Sequence, residues 1–345
     1  MAEWSLRGNV TQTRSVGPFS SGGHRMRYLV VVSVLGFAAL LLTVLSLTWG
    51  NQHELFSERW WRVSNLRISA VVVIAVVTFC HAFATVTFQT VTNNRIITPS
   101  IMGFEALYVL IQTFVIYVFG ASGLAMFNDF GRFLLQVVVM VVFAVLLYSW
   151  LLTGRLGSLH VMLLVGIVIG VGLGSLSAFM QRMLDPNEFD VLTARLFGNI
   201  GNANTDYLAF VIPVCLAVGV ALWILAPRLN VLSLGADIST NLGLRHRPQV
   251  MLMLTLVSVL MAMTTALVGP MTFLGFLLAT LAYSVTDTYD HRRILPVAWL
   301  LGFVILGGAH FLLRHVLSAV DTVTIVVELI GGLVFLAVIF RKGRL

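Results

Sequence analysis

Lysine is all but missing from this 345-residue chain: Lys342, close to the carboxyl end, is the only one. A phosphate-binding loop of the G-x-x-x-x-G-K-[ST] type is therefore excluded, and whatever energy drives this protein, it does not hydrolyse ATP itself. Charge of either sign is scarce. Asp, Glu, Lys and Arg make up 10% of the residues against 59% hydrophobic ones, whereas a soluble domain carries about 25% charged residues. The two cysteines, Cys80 and Cys215, lie far apart in sequence inside apolar stretches. They are too few and too scattered for a disulfide framework or a thiolate metal site, and read as small apolar core residues. The eight histidines contain no H-E-x-x-H and no pair four apart, and no G-x-S-x-G occurs. Metalloprotease, single-helix bis-His haem and serine-hydrolase chemistry therefore have no support. Neither catalytic residues nor metal ligands are assigned.

Long apolar runs fill the chain instead. A bilayer core about 30 Å thick takes roughly 20 apolar residues of helix. Ten spans fit, near residues 28–49, 66–91, 99–120, 130–152, 160–181, 206–226, 249–268, 270–286, 295–315 and 321–340. They predict an all-α polytopic membrane protein with a single domain over residues 28–345, because no polar interval is long enough to fold separately. Residues 1–27, rich in Ser, Gly and Arg, make a poor secretory leader and are expected to be a retained, disordered, basic cytoplasmic segment.

The arginines set the expected orientation. Ten spans place both termini on one side, and with that side cytoplasmic, 14 of the 21 Lys and Arg residues lie inside and 7 outside. The positive-inside rule prefers this arrangement. Membrane topology accounts for the net charge of +7, so no nucleic-acid partner is needed to explain it.

Polar groups inside the spans are few, and each needs a reason. Glu105 and Glu328 are acids within predicted spans, where a carboxylate faces a cavity, cargo, a coupling ion or a hydrogen-bonding partner. His81 and His310 also lie within spans, read chiefly as buried hydrogen-bonded residues, with a haem pair on separate helices as the alternative. Gly166, Gly170 and Gly174 fall four apart on one helix face, the spacing that lets membrane helices approach closely. Between spans 6 and 7, the loop 227–248 holds an apolar stripe, Leu234, Ile238 and Leu242, at i, i+4 and i+8. Gly235 and Gly243 punctuate it, and Gly243 is suited to end a helix. Such a short helix fits either a groove on another protein or the lipid surface.

Five segments in register resemble the permease subunits of iron-siderophore, haem and vitamin B12 ABC importers, the FecCD type. The pattern L-N-x-L-x-L-G-x-[DE]-x-x-x-x-L-G is present as Leu229, Asn230, Leu232, Leu234, Gly235, Asp237, Leu242 and Gly243. Residues 89–104 are similar to the family's Q-x-x-x-x-N-P-L-A-x-P-x-x-L-G turn through Gln89, Asn94, Pro99 and Gly103, with Arg95 in place of the first Pro. GPMTFLGFL at 269–277, DHRRILP at 290–296 and, loosely, ARLFGNIGNAN at 194–204 resemble three further family segments. Two departures stand out: the family's R-[LIM]-P-R reads Arg67-Ile68-Ser69-Ala70, and its Pro-His-x-x-Arg in span 8 reads Ala279-Thr280-Leu281-Ala282-Tyr283. The TNNRIITPSIMGFE stretch looks like the branch serving ferric catecholate chelates of the petrobactin type.

The resemblance implies a type II ABC importer permease fold and a transport subunit with no enzymatic activity and no bound cofactor, ATP being held by partner subunits. It implies two ATP-binding subunits gripping Leu234, Gly235, Asp237, Ile238, Leu242 and Gly243, and a second permease, identical or related. It also implies an extracytoplasmic siderophore-binding protein docking on Arg67, Arg314 and Arg62. Glu105, Glu328, Gln89 and Asn94 are candidates for the translocation path. A proton-coupled secondary transporter using Glu105 and Glu328, or a haem or vitamin B12 cargo, are the competing readings.

Overall fold

The computed structural model describes residues 17–19, 21–51, 54, 57–123, 129–153, 159–196, 200, 203–317 and 323–342. Among them every regular element is helical. The helices are α1 (Gly22–Thr48), α2 (Glu58–Val91), α3 (Phe104–Gly123), α4 (Asp129–Thr153), α5 (Leu159–Gln181), α6 (Pro186–Leu196), α7 (Leu208–Ile224), α8 (Ala226–Leu232), α9 (Ala236–Asn241), α10 (His246–Val268), α11 (Leu274–Thr286), α12 (His291–His315) and α13 (Val323–Lys342). Seven helical stretches are long and apolar enough to cross a bilayer, and α3, α11 and α13 supply three shorter apolar segments. Together these correspond to the ten expected spans.

The boundaries differ where the backbone breaks. Residues 99–103, expected inside span 3, form a 3-10 turn at Ser100–Met102 that leads into α3 through Gly103. Span 8 starts at Leu274 rather than 270. With 13 residues, α11 rises only about 20 Å and falls short of a bilayer core of about 30 Å. At the other extreme, α2 has 34 residues and outruns that thickness, carrying Trp60 and Trp61 at its first turn, where aromatic residues settle at a membrane interface. The polar helix α6 has no counterpart among the spans, because its composition gives no hydropathy signal. Residues 22–27 form the first turns of α1, ahead of the expected start at 28, with the Ser21 hydroxyl accepting from the His24 N–H.

α2 is the central post. It packs against α10, α12, α11, α7 and α1; α4 lies on α10, and α3 pairs with α5. Every residue of α2 from Val77 to Val91 is buried. Close approach makes this possible: a Cβ on Gly275 of α11 would sit 2.1 Å from Thr85 Oγ1, so only hydrogen fits. Two hydroxyls inside this core return to their own helix, Thr78 to the Ile74 carbonyl at 2.7 Å and Ser258 to Leu254 at 2.8 Å, which satisfies them without water. On α5, Gly166 and Gly170 receive the Met102–Gly103 turn while Gly174 stays open. Cys80 of α2 and Cys215 of α7, remote in sequence, meet with their sulfurs 3.4 Å apart as buried free thiols.

One face of the molecule gathers the start of α1, the α8–α9 loop and the α11–α12 loop. Arg27 pairs with Asp287 at 2.5 Å, Thr288 donates to the Pro18 carbonyl at 2.7 Å, and Arg293 lies 4.6 Å from the Phe19 ring. Residues 17–19 and 21–28 thus fold onto the α11–α12 loop.

Candidate functional site

On that basic face, the loop between α7 and α10 is built around two glycines in the left-handed region. Gly235 (φ +94°) turns the chain from α8 into α9, and Asp237 stands in the first turn of α9, where a carboxylate complements the helix dipole. At the other end Gly243 (φ +85°) closes a Schellman motif. Its N–H reaches the Thr240 carbonyl at 2.9 Å, and the Leu244 N–H reaches Ser239 at 3.0 Å. The helix is shorter than the stripe implies, but the stripe survives. Leu234, Ile238 and Leu242 are 51%, 50% and 62% exposed, so three large apolar side chains project outward from one short, well-fixed loop.

What fixes it is a polar hub that links three elements. Asn230 of α8 donates through Nδ2 to Asp290 Oδ1 at 3.2 Å, which orients the amide. Its oxygen then accepts from the His291 backbone N–H at 3.0 Å and lies 2.6 Å from His291 Nδ1. An amide oxygen only accepts, so Nδ1 carries a proton. The other ring nitrogen, Nε2, faces the Thr90 hydroxyl of α2 at 2.7 Å. Asp290 also caps α12 by accepting from the Arg292 N–H at 3.2 Å. Sequence spacing does not pair Asn230 with His291, which are 61 residues apart; the D-H-R motif marks the segment but not its partner.

Gln89 and Asn94, both path candidates, serve the turn after α2. Gln89 Nε2 donates to the Arg95 carbonyl at 2.9 Å, and Asn94 Oδ1 accepts from the Ile96 N–H at 2.9 Å. Asn93 in this turn approaches the Gly235 position, its Nδ2 lying 3.7 Å from where a Cβ would stand.

Glu105 and Glu328 converge although they stand on α3 and α13. Both address the non-helical stretch before α11. Glu105 accepts from the Thr272 hydroxyl, and Ser100 and the Met271 amide also interact with this carboxylate. Glu328 accepts the Phe273 N–H with both oxygens, at 3.1 and 3.3 Å. Gly331 brings α13 against Phe273 itself. Both carboxylates thus act as hydrogen-bond partners for the backbone and side chains around the start of α11.

The three candidate docking arginines lie at the opposite face. Arg67 spends one guanidinium nitrogen on the end of α1, donating to the carbonyls of Trp49 (2.7 Å), Ser46 (3.3 Å) and Leu47 (3.5 Å). Arg314 stands close enough to repel it, so the two charges form one patch. Arg62 is exposed and pairs with Glu58 at 3.1 Å.

Residues 29–341 match the FecCD transport family. The chain belongs to it. This FecCD protein is therefore a membrane-embedded, multi-pass transport component rather than an enzyme. It is 46% identical over 334 residues to the petrobactin import system permease protein FatC of Bacillus anthracis, covering 97% of this chain and 94% of that one. The petrobactin import system permease protein YclO of Bacillus subtilis (strain 168) is 36% identical over 278 residues, 81% of this chain and 88% of its own. In fold, the FecCD chain is similar to a solved metal-chelate type ABC transporter in an inward-facing conformation. The TM-score is 0.78 at 21% identity, covering 91% of this chain and 99% of that chain.

The geometry of the acids predicts a graded response. Glu328→Ala leaves the Phe273 N–H without its acceptor, at about 1–3 kcal/mol, while Glu328→Gln keeps an acceptor and loses less. Thermal unfolding of the detergent-purified protein should rank wild type above Gln above Ala. An unchanged midpoint in the alanine variant would remove this carboxylate from the fold's support.

Proposed function

We propose that this chain is the permease of an ATP-driven importer that carries a ferric siderophore of the petrobactin type across the cytoplasmic membrane. The observation that carries the cargo class is the 46% identity to a petrobactin import permease over nearly the whole chain. The exposed stripe of Leu234, Ile238 and Leu242, on a loop fixed to α2 and α12, supports ATP-driven coupling. It is the kind of surface that seats in a groove of a partner protein. In this reading the basic face and both termini are cytoplasmic, as the arginine distribution prefers. Two ATPase subunits grip the 234–243 segment, and a second permease completes the pathway. The permease itself performs no bond chemistry: it alternates between packings whose relative stability ATP and the loaded binding protein shift.

Outside, Arg67 and Arg314 present the positive patch for an acidic surface of the siderophore-binding protein, with Arg62 at its edge. Because Arg67 also caps α1, docking there bears directly on how α1 meets α2. Glu105, Glu328, Gln89 and Asn94 shape the pathway indirectly, by holding the two non-helical segments beside it, rather than by touching cargo.

Two variants test the two ends. Leu242→Arg places a charge on the stripe without touching the core, since Leu242 is 62% exposed. ATPase subunits should no longer co-purify, and ferric-petrobactin uptake should fall at least tenfold, about 1.4 kcal/mol of lost association, with membrane levels unchanged. Normal co-purification and uptake would rule out the stripe as the coupling surface. The pair Arg67→Glu with Arg314→Glu should weaken binding-protein association most at low salt, where charge steering is least screened. Equal affinity at low salt would dismiss the patch.

A further inference from the structure

One cavity among the described residues has no part in the coupling loop or in the carboxylate cluster. It has a volume of about 860 Å³ and is lined by α3, α5, the end of α6, α4, the turn before α7 and the end of α10. Its polar wall is one-sided. Gln136 is 7% exposed; its oxygen accepts from Gln112 Nε2 at 2.9 Å, which leaves Gln136 Nε2 with no partner among the described residues. Arg132, one turn into α4, uses Nη2 on Asp129, while its Nε and Nη1 are buried and equally without a partner. Arg195 adds a second positive charge to the lining, and the Asp129 carboxylate is already paired. Three donor nitrogens without a partner among the described residues, in a positive pocket, call for an anionic oxygen acceptor.

The remaining wall points to the body that carries this acceptor. Phe114, Leu135 and Leu176, from three different spanning helices, line the cavity and are 51%, 63% and 49% exposed. The cavity therefore opens sideways, through an apolar rim, onto the outer surface of these helices, a surface suited to acyl chains. Its charged groups sit at helix ends, Asp129 and Arg132 at the start of α4 and Arg195 at the end of α6, at the depth where a span meets the headgroup layer.

We propose that this cavity is a binding site for an anionic phospholipid, with its phosphate on Arg132 and Gln136 and an acyl chain along Leu135, Phe114 and Leu176. The bound lipid fills the gap between the α3–α5 pair and the α4–α10 pair and holds them at a fixed separation. A ferric catecholate shares the negative charge and the apolar body, but it would arrive from water, whereas the apolar rim faces the bilayer.

The test is native mass spectrometry of the intact permease complex extracted from membranes containing phosphatidylglycerol and phosphatidylethanolamine. Wild type should keep phosphatidylglycerol through detergent washing. Arg132→Gln combined with Gln136→Leu should lower its retention at least tenfold, the loss of a charge-assisted contact together with a neutral one. Val139→Trp, which fills the cavity without touching a donor, should lower it similarly, and Leu146→Ala, on α4 but away from the cavity, should not. Equal retention in wild type and both cavity variants would overturn the proposal. So would displacement of the lipid by ferric petrobactin, which would make the cavity a cargo site. The readout is bound lipid in folded protein, so it stands or falls separately from the transport reading.

Discussion

Backbone that is not helical inside a membrane must find its hydrogen bonds within the protein, and the rest of this structure is arranged around that demand. α11 has too few residues to cross the core, and the stretch leading into it, 269–273, makes no helix of its own. A span elsewhere satisfies its amides internally; here Glu328 accepts the Phe273 N–H and Glu105 accepts the Thr272 hydroxyl. Two acidic residues that would otherwise be expensive in the membrane thereby become the partners of groups that would also be expensive. Four elements are tied together in the process: α3, the 269–273 segment, α11 and α13.

A second set of polar contacts does the corresponding work at the basic face. Asn230, Asp290, His291 and Thr90 join α8, α12 and α2 within a few ångströms. The consequence is mechanical. A force applied to the exposed leucine and isoleucine stripe enters a loop fastened to the central helix α2, buried throughout Val77–Val91, rather than a free surface segment. Gly235, which no other residue can replace without strain at φ +94°, sets the angle at which the stripe leaves that fastening.

Much of this was legible in the residues. Ten apolar runs give ten helices because each backbone must satisfy itself and each side chain must suit lipid or a neighbouring helix. Hydropathy alone misses the breaks at 99–103 and 269–273, since Ile101, Met102, Met271 and Phe273 are as apolar as the spans they interrupt, and hydropathy does not distinguish helix from buried loop; for the first, only the resemblance of residues 89–104 to a family turn marked it. For the second, the dipeptide Gly269-Pro270 was the available sign. Glu105 and Glu328 announced that each needs a partner, but only the fold shows that they share one segment. In the same way, Arg67 reads as an external charge, while its role on the end of α1 depends on a helix about 20 residues earlier in the chain. The cysteines illustrate the limit most simply: residues 135 apart in sequence touch.

The central claim is that ATP, acting through the basic face, powers movement of a ferric siderophore through this chain. Its most direct test compares uptake of labelled ferric petrobactin in iron-starved cells with and without the gene. ATP is depleted in one arm, and the proton gradient is collapsed at preserved ATP in the other. Gene-dependent uptake that disappears with ATP and survives loss of the gradient is the predicted result. Gene-dependent uptake that follows the gradient instead would contradict the account and make Glu105 and Glu328 proton carriers.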